Sequence, residues 1–172
     1  MEVILETHRL YLRRLTQSDA QHLFDLDSDP EVMRYMRARP CQSLKDAQAQ
    51  LQRYLDEYQS LGISRWAVIG KSDEAFVGLC GLRLWPGQAV PDLGYRLHSP
   101  YWGCGYATEA AGAVLHFALH GLGYAQVGAV VIQGNLGSIR VLEKIGMQYV
   151  KTAWEGDVET LIYQAQANEL DG

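Results

Sequence analysis

One segment restricts the fold more than any other, because a strand, a glycine-rich turn and an alanine-rich helix follow one another directly. The strand is predicted over Leu93–His98 and the helix from Gly105 to His120. A second apolar run of strand character follows at Val127–Gln133. When a helix crosses between two neighbouring strands of one sheet, those strands are parallel. The chain is therefore predicted to contain one βαβ unit.

The remaining elements predict an antiparallel frame around this unit, and so a mixed α+β fold. In chain order they are one strand or two short ones within 3–15, a helix that ends at Asp29-Pro30, a short helix through Met36, a helix over 43–61 that begins at Ser43 and is stopped by Gly62, a hairpin within 63–85, a helix over 138–145 and a pair of strands within 147–164.

Length and composition restrict the class of protein. A chain of 172 residues is expected to form one domain, residues 1–172, because domains of about 150 residues are common. The formal net charge of −5 argues against nucleic acid or an anionic membrane as a partner, since both attract basic surfaces. Neither a signal peptide nor a membrane span of about 18 apolar residues is recognisable. The three cysteines have no metal-binding spacing, so we expect a cytoplasmic protein without a metal.

The turn before the central helix has the chemistry of a phosphate site. Gly103 and Gly105 stand where main-chain N–H groups and the helix dipole favour an anion, although a plain strand-to-helix turn has the same pattern. A dinucleotide fingerprint is not met, because Thr108 replaces its third glycine and no acidic residue follows in Val127–Gln133. A nucleoside-triphosphate loop is excluded, because this turn contains no Gly-Lys-Ser/Thr.

The sequence of this turn, YWGCGYATEA over residues 101–110, resembles motif A of the GNAT N-acetyltransferases. That motif, Q/R-x-x-G-x-G/A, holds the pyrophosphate of coenzyme A. Gly105 and Ala107 match its last two small positions, whereas Trp102 departs from its Gln or Arg. The departure is similar to one branch of the family, the RimJ/RimL-like acetyltransferases.

Further matches to this branch extend over nearly the whole chain. Residues 7–13 resemble its opening strand, residues 29–32 its early helical turn, and residues 135–147 its N-x-x-S-x-R-x-L-x-K-x-G-F block. The resemblance implies the GNAT fold, a twisted and mostly antiparallel sheet of about six to seven strands flanked by about four helices. Two splayed parallel strands of that sheet would form the acyl-CoA site.

The resemblance also implies acetyl-CoA as co-substrate, with no metal. Its pantetheine arm would pair with the first parallel strand in the manner of an added strand, and its phosphates would meet the glycine-rich turn. The cofactor-binding residues implied are Tyr95, Arg96, Leu97, Trp102, Gly103, Cys104, Gly105, Tyr106, Ala107, Thr108, Asn135, Ser138 and Arg140.

Three residues are implied to be catalytic. The N–H of Leu97 would hold the thioester carbonyl as the amine attacks. Ser138 would protonate the leaving thiolate, since the position of the tyrosine used elsewhere in the family is Leu142 here. Asp92 would accept a proton from the amine.

Each of these polar residues also has an interpretation that needs no ligand. Asn135 fits a helix N-cap, Ser138 a serine of the first helical turn, and Asp92 a turn after Pro91. Three further candidates also have such interpretations. Glu109 fits compensation of the helix dipole, and His98 and His116 fit surface or packing roles.

The resemblance implies direct acetyl transfer to a primary amine of a protein N-terminus, a peptide or a small molecule. The alternative is a non-catalytic acyl-CoA-binding module. Residues 33–61 and the last hairpin would frame the amine pocket of a monomer or homodimer, with Tyr35, Trp66, Trp85 and Trp154 as candidate lining residues. The acidic chain favours a cationic acceptor such as a basic peptide or polyamine, although net charge does not define the pocket.

Overall fold

The computed structural model describes residues 2–169, and its centre is an eight-stranded sheet. The strands are β1 (Val3–Glu6), β2 (Leu10–Arg13), β3 (Arg65–Gly70), β4 (Phe76–Arg83), β5 (Asp92–Leu97), β6 (Gln126–Ile132), β7 (Gln148–Glu155) and β8 (Val158–Gln166). They lie in the order β1-β2-β3-β4-β5-β6-β8-β7, and all neighbouring pairs are antiparallel except β5 and β6. The α+β class and the parallel crossover are confirmed.

The sheet has more strands than the six to seven expected, because the first apolar stretch forms two strands. The turn between them is built by Thr7, whose N–H donates to the carbonyl of Leu10 at 2.8 Å. The Thr7 hydroxyl in turn accepts a hydrogen bond from the N–H of Leu10 at 3.1 Å. This tight turn places Arg9 between the two strands, at the tip of their hairpin.

Helices cover both faces of the sheet. They are α1 (Ala20–Ser28), α2 (Pro30–Met33), α3 (Leu44–Leu61), α4 (Tyr106–His116) and α5 (Leu136–Lys144), with a π-helical turn over Phe117–Gly121 after α4. The five helices correspond to the five helical segments predicted along the chain, and they exceed the four that the resemblance implies because α2 is a separate single turn. Among residues 2–169, no helix is long and apolar enough to cross a membrane.

Contacts of the central strands show which helices share a face. Arg96 of β5 reaches Asp27 of α1 and Tyr54 of α3, so these two helices lie on one face. Trp66 of β3 meets Phe117 edge-on at 6.2 Å between ring centroids, which places the end of α4 on the other face. The central strands β3 and β4 are almost wholly buried, as expected for strands that are covered on both sides.

The ends of α3 follow from two residues that the sequence singled out. The Ser43 side chain accepts a hydrogen bond from the N–H of Asp46 at 3.2 Å and caps the first turn. Gly62 ends the helix with φ +73°, a left-handed conformation that glycine adopts without steric cost. The predicted helix over 43–61 is confirmed, and it carries several residues of the site.

Candidate active site

The two parallel strands separate after a single pairing point. Asp92 of β5 lies opposite Gly128 of β6, and the N–H of Gly128 donates to the carbonyl of Pro91 at 2.9 Å. Beyond this point the described strands form no further pair, and a gap opens along β5 towards Leu97. The expected splay of two parallel strands is therefore present.

Main-chain groups of β5 line this gap. On its other edge β5 pairs with β4 throughout, and the N–H of His98 donates to the carbonyl of Val77 at 2.9 Å. Because hydrogen-bonding direction alternates along a strand, the main chain of Arg96 is directed towards β4. The N–H and carbonyl groups of Tyr95 and Leu97 are directed into the gap.

Trp102 closes the far end of the gap. Its indole Nε1–H donates to the carbonyl of Leu97 at 2.8 Å, and its main-chain N–H donates to the carbonyl of Ser99 at 3.1 Å. This N–H is already satisfied and is not available to a phosphate. The run of free donors begins one residue later than expected, at Gly103.

Consecutive main-chain N–H groups converge at the start of α4. Those of residues 103–108 donate to no acceptor within residues 2–169. Gly103 and Gly105 have φ +71° and +82°, in the left-handed region that favours glycine. With the positive end of the α4 dipole behind them, these donors form a site suited to a phosphate or pyrophosphate.

Side chains from the N-terminal hairpin hold this loop, in a group that we call the Arg9 clamp (Thr7, Arg9 and Glu109). The Glu109 carboxylate accepts hydrogen bonds from the Thr7 hydroxyl at 2.6 Å, the Arg9 N–H at 2.8 Å and Arg9 Nε at 2.7 Å. Arg9 Nη1 also donates to the carbonyl of Cys104 at 2.9 Å, and the guanidinium lies 4.4 Å from the centroid of the Tyr106 ring. Burial raises the pKa of Glu109, but the hydrogen bonds from Thr7 and Arg9 outweigh it, so the pKa lies below its usual value.

Glu109 therefore does more than compensate the dipole of α4. The sequence did not assign a role to Arg9, although it lies in one of the segments that resemble the family. Its partners Glu109 and Cys104 are 100 and 95 residues away in the chain, so their contact depends on the fold.

The start of α5 brings polar groups to the same gap. Asn135 is the N-cap, and its side-chain oxygen accepts the N–H of Ser138 at 3.2 Å, which confirms the capping interpretation. Ser138, Leu142 and Tyr95 line one cleft. Burial raises the pKa of Tyr95 to about 12; its oxygen lies near the Ser138 hydroxyl, but no hydrogen bond of normal geometry joins it to any residue of 2–169. Arg140 is exposed on α5 and is not among the residues that line the cleft.

On the opposite face of the sheet, Asp92 is paired with Arg65. Arg65 Nη2 lies 3.4 Å from Asp92 Oδ2, and Arg65 Nη1 donates to the Asp92 carbonyl at 3.1 Å. Gly94 provides the space, since a Cβ there would lie 2.4 Å from Arg65 Nη2. Burial raises the pKa of Asp92, and the Arg65 guanidinium opposes this rise. Asp92 thus lines the cleft as one member of an ion pair.

A second, more deeply buried ion pair forms the floor of the cleft. Arg96 binds both carboxylate oxygens of Asp27, with Nη2 at 2.7 Å from Oδ2, and the exposed fractions of the two side chains are 10% and 3%. The Tyr54 hydroxyl accepts a hydrogen bond from Arg96 at 3.2 Å. The amide of Gln50 donates to Asp27 at 3.0 Å and to Tyr54 at 2.8 Å. This network joins α1, α3 and β5, and only Arg96 was singled out from the sequence.

The cleft has a volume of about 420 Å³ and contains two of the four predicted aromatic residues. Tyr35 and Trp85 line it. The expectation for Trp66 is wrong, because this side chain is 1% exposed and lies in the core against Phe117. Trp154 does not line the cleft either; it is 65% exposed on the last hairpin.

The two candidate histidines, His98 and His116, lie outside the cleft. His98 meets Phe76 edge-on, and burial lowers its pKa against the opposing effect of Asp25 and Asp29. His116, near the end of α4, lies 4.5 Å from the ring of His120. Among residues 2–169, no group of three or more His, Cys, Asp or Glu is placed to hold a metal ion.

Comparison with known proteins identifies the family of this site. A model described as an acetyltransferase (GNAT) domain matches residues 9–148. The chain is similar to an uncharacterized N-acetyltransferase, YoaA, of Bacillus subtilis (strain 168): it is 32% identical over 162 residues, which cover 94% of this chain and 89% of that protein.

Solved structures share the fold. The acetyltransferase (GNAT family) from Bacillus anthracis superposes with a TM-score of 0.84 at 22% identity, over 96% of this chain and 99% of that one. The spermidine N-acetyltransferase from Vibrio cholerae, solved in complex with CoA and spermine, gives a TM-score of 0.82 at 15% identity, over 95% and 99%. The gap beside β5 and the loop before α4 thus lie in a fold that these enzymes share. This chain belongs to the GNAT family of acetyltransferases, which use acetyl-CoA.

Proposed function

We propose that this chain is an N-acetyltransferase of the RimJ/RimL-like branch that transfers an acetyl group directly from acetyl-CoA to a primary amine. The observation that carries the proposal is the combination of unpaired β5 main-chain groups with the free N–H run of residues 103–108. Together they suit an extended molecule with an amide-containing arm and a pyrophosphate. We further propose that the chain works as one domain over residues 1–172, in the cytoplasm, as a monomer or homodimer.

In this proposal the residues of the gap bind and orient the acyl-CoA. The main-chain groups of Tyr95 and the N–H of Leu97 pair with its arm, because the Leu97 carbonyl already accepts the Trp102 indole N–H. The N–H groups of residues 103–108 bind its phosphates. The Leu97 N–H is the donor for the thioester oxygen, where negative charge develops as the amine attacks. Asn135 and Arg140 are further contacts, of which Asn135 lies at the cleft and Arg140 at the surface of α5.

We assign protonation of the leaving thiolate to Ser138. Its hydroxyl lies at the cleft on α5, and the neighbouring Tyr95 hydroxyl is a second donor that the sequence did not reveal. A tyrosine hydroxyl is protonated at neutral pH, and burial raises the pKa of Tyr95 further. A hydroxyl without a partner can point at a leaving group without breaking another hydrogen bond.

Ser138→Ala is expected to lower kcat about tenfold and to change the affinity for acetyl-CoA less than about twofold. The N-cap is preserved, because Asn135 accepts the main-chain N–H of residue 138 and not its hydroxyl. Steady-state kinetics and calorimetric titration with CoA separate the two effects. Tyr95→Phe is the comparison variant, and we expect it to lose less activity. Equal losses of turnover and affinity in Ser138→Ala would show that the serine positions the cofactor and does not act as the acid.

We assign the general base to Asp92. Burial raises the pKa of Asp92 above that of an ordinary aspartate, which makes its carboxylate a stronger proton acceptor. It is active only when ionised, so kcat/KM of the native protein falls as the pH drops through this raised pKa.

Asp92→Asn is expected to lower kcat/KM about a hundredfold, because general-base contributions are of this order. At low pH, kcat/KM of the variant should fall with one protonation step fewer than kcat/KM of the native protein, because only the amine still titrates. A pH series of kcat/KM on both proteins checks this. An unchanged pH profile would limit Asp92 to its ion pair with Arg65.

Thiol release from acetyl-CoA tests the proposed function. The acceptors are peptides that begin with Ser, Ala or Met, together with polyamines, aminoglycosides and amino acids. We expect amine-dependent release, and mass spectrometry of the product identifies the acetylated nitrogen. Binding of coenzyme A without transfer to any amine would instead support a non-catalytic acyl-CoA-binding module.

A further inference from the structure

The cleft has a charge opposite to that of the chain. The chain has a formal net charge of −5. The cleft is lined by six arginines, Arg37, Arg39, Arg53, Arg65, Arg83 and Arg96, and by only three carboxylates, those of Asp27, Asp92 and Glu155. Arginine is the side chain best suited to carboxylate and phosphate, because its planar guanidinium forms two parallel hydrogen bonds with them.

Four of these arginines have carboxylate partners. Arg96 binds Asp27 and Arg65 binds Asp92, as described above. Arg83 lies 3.3 Å from Glu57, which is outside the cleft, and its guanidinium covers the Trp85 ring at 4.4 Å. Arg37, in the loop after α2, forms an ion pair with Glu155 at the end of β7.

The other two, Arg39 and Arg53, have no carboxylate partner within residues 2–169. Arg53 lies one turn from Gln50 on the face of α3 that reaches the cleft, and Arg39 lies in the loop before α3. The cleft therefore holds positive charge that the protein itself does not neutralise.

The acyl-CoA phosphates do not account for this charge. Their site, residues 103–108, lies at the start of α4 on one side of the sheet, whereas Arg53 projects from α3 on the opposite side. Arg53 is thus placed for the acceptor, and Arg39 lines the same cleft.

We propose that the acceptor is a primary amine that also carries a carboxylate or phosphate group, which binds at Arg39 and Arg53. This inference rests on the proposed function and names the substrate class of the same cleft. A polyamine is disfavoured, because it would place several positive charges beside unpartnered guanidinium groups. The local charge of the cleft, and not the net charge of the chain, sets the preference.

Matched amines test the proposal. L-methionine is compared with L-methioninamide, O-phosphoethanolamine with ethanolamine, and spermidine serves as the cationic acceptor. Loss of the carboxylate lowers the pKa of the neighbouring amine, so the amide is the more reactive nucleophile at neutral pH. A preference for the acid therefore comes from binding. We expect kcat/KM to be at least about tenfold higher for one of the two anionic amines than for its neutral partner. The pair of amines that shows this difference identifies the recognised group as a carboxylate or as a phosphate.

Arg53→Gln and Arg39→Gln are expected to remove this preference. Each should lower kcat/KM for the anionic amine about tenfold, mainly through KM, and leave the neutral amine within about twofold. Lys45→Gln is the matched control, because Lys45 is an exposed cation of α3 outside the cleft. Equal effects on charged and neutral amines, or an equal effect of Lys45→Gln, would overturn the proposal.

A binding measurement separates this proposal from the proposed function. Calorimetric titration of the CoA-loaded protein with N-acetyl-L-methionine and with its amide, and with N-acetylated O-phosphoethanolamine and N-acetylethanolamine, needs no turnover. Tighter binding of an anionic product, lost in Arg53→Gln, supports the proposal even where no acetyl transfer is detected. Preferred acetylation of spermidine or of the neutral amines leaves the proposed function intact and overturns the anionic acceptor.

Discussion

Ala107→Glu is expected to abolish binding of acetyl-CoA. Ala107 is the second residue of α4 and lies within the free N–H run of residues 103–108. A carboxylate there repels the pyrophosphate, and two unit charges 4 Å apart near a protein surface interact by about 4 kcal/mol. We therefore expect the dissociation constant of CoA, measured by calorimetry, to rise roughly a hundredfold or more.

The fold should tolerate this change, because an acidic residue in the first turn of a helix is favourable. Ala107→Gln is the matched control, since it adds nearly the same bulk without the charge, and we expect an intermediate loss. Native affinity in Ala107→Glu, with an unchanged thermal transition, would show that the phosphates bind elsewhere.

Asp27→Ala is expected to lower the free energy of unfolding by about 3–5 kcal/mol, because it leaves the buried Arg96 without its counter-charge. In a chain of this size that corresponds to a fall in the melting temperature of about 6–20 °C. Urea unfolding and thermal melts measure both quantities. Gln50 also loses the carboxylate to which its amide donates, so the floor of the cleft should become less rigid.

The pair between Arg37 and Glu155 is the internal control. Its side chains are 35% and 52% exposed, so Glu155→Gln is expected to change the unfolding free energy by less than about 1 kcal/mol. If Asp27→Ala also changed the unfolding free energy by less than about 1 kcal/mol, the Arg96 guanidinium would have found water or another acceptor in place of Asp27.

Much of the fold was predictable because its signals are local. The alternation of strand and helix from Leu93 to Gln133 predicted the parallel crossover, and Ser43 and Gly62 marked the ends of α3. The glycines of residues 103–105 predicted a tight turn with free N–H groups, since left-handed backbone and unpaired N–H groups depend on the loop itself.

The arginine-lined part of the cleft was not predictable in the same way. Its ion pairs join Asp27 to Arg96 and Arg65 to Asp92, residues that are 69 and 27 positions apart. The net charge of −5 was a misleading guide to the charge of the cleft, because it sums over the whole chain whereas the arginines converge in one cleft. Trp66 shows the same limit, since an aromatic residue in a strand fits a core or a pocket equally well until the face is known.

The Arg9 clamp means that the loop of residues 103–108 is not a self-contained module. Ten residues of sequence define the loop, yet its shape depends on a turn contributed by another hairpin, 100 residues earlier. Relatives that share the loop but lack an arginine and a hydroxyl in that turn must hold it by other contacts. Grafting the loop alone onto another scaffold would transfer the motif without the support that orders it.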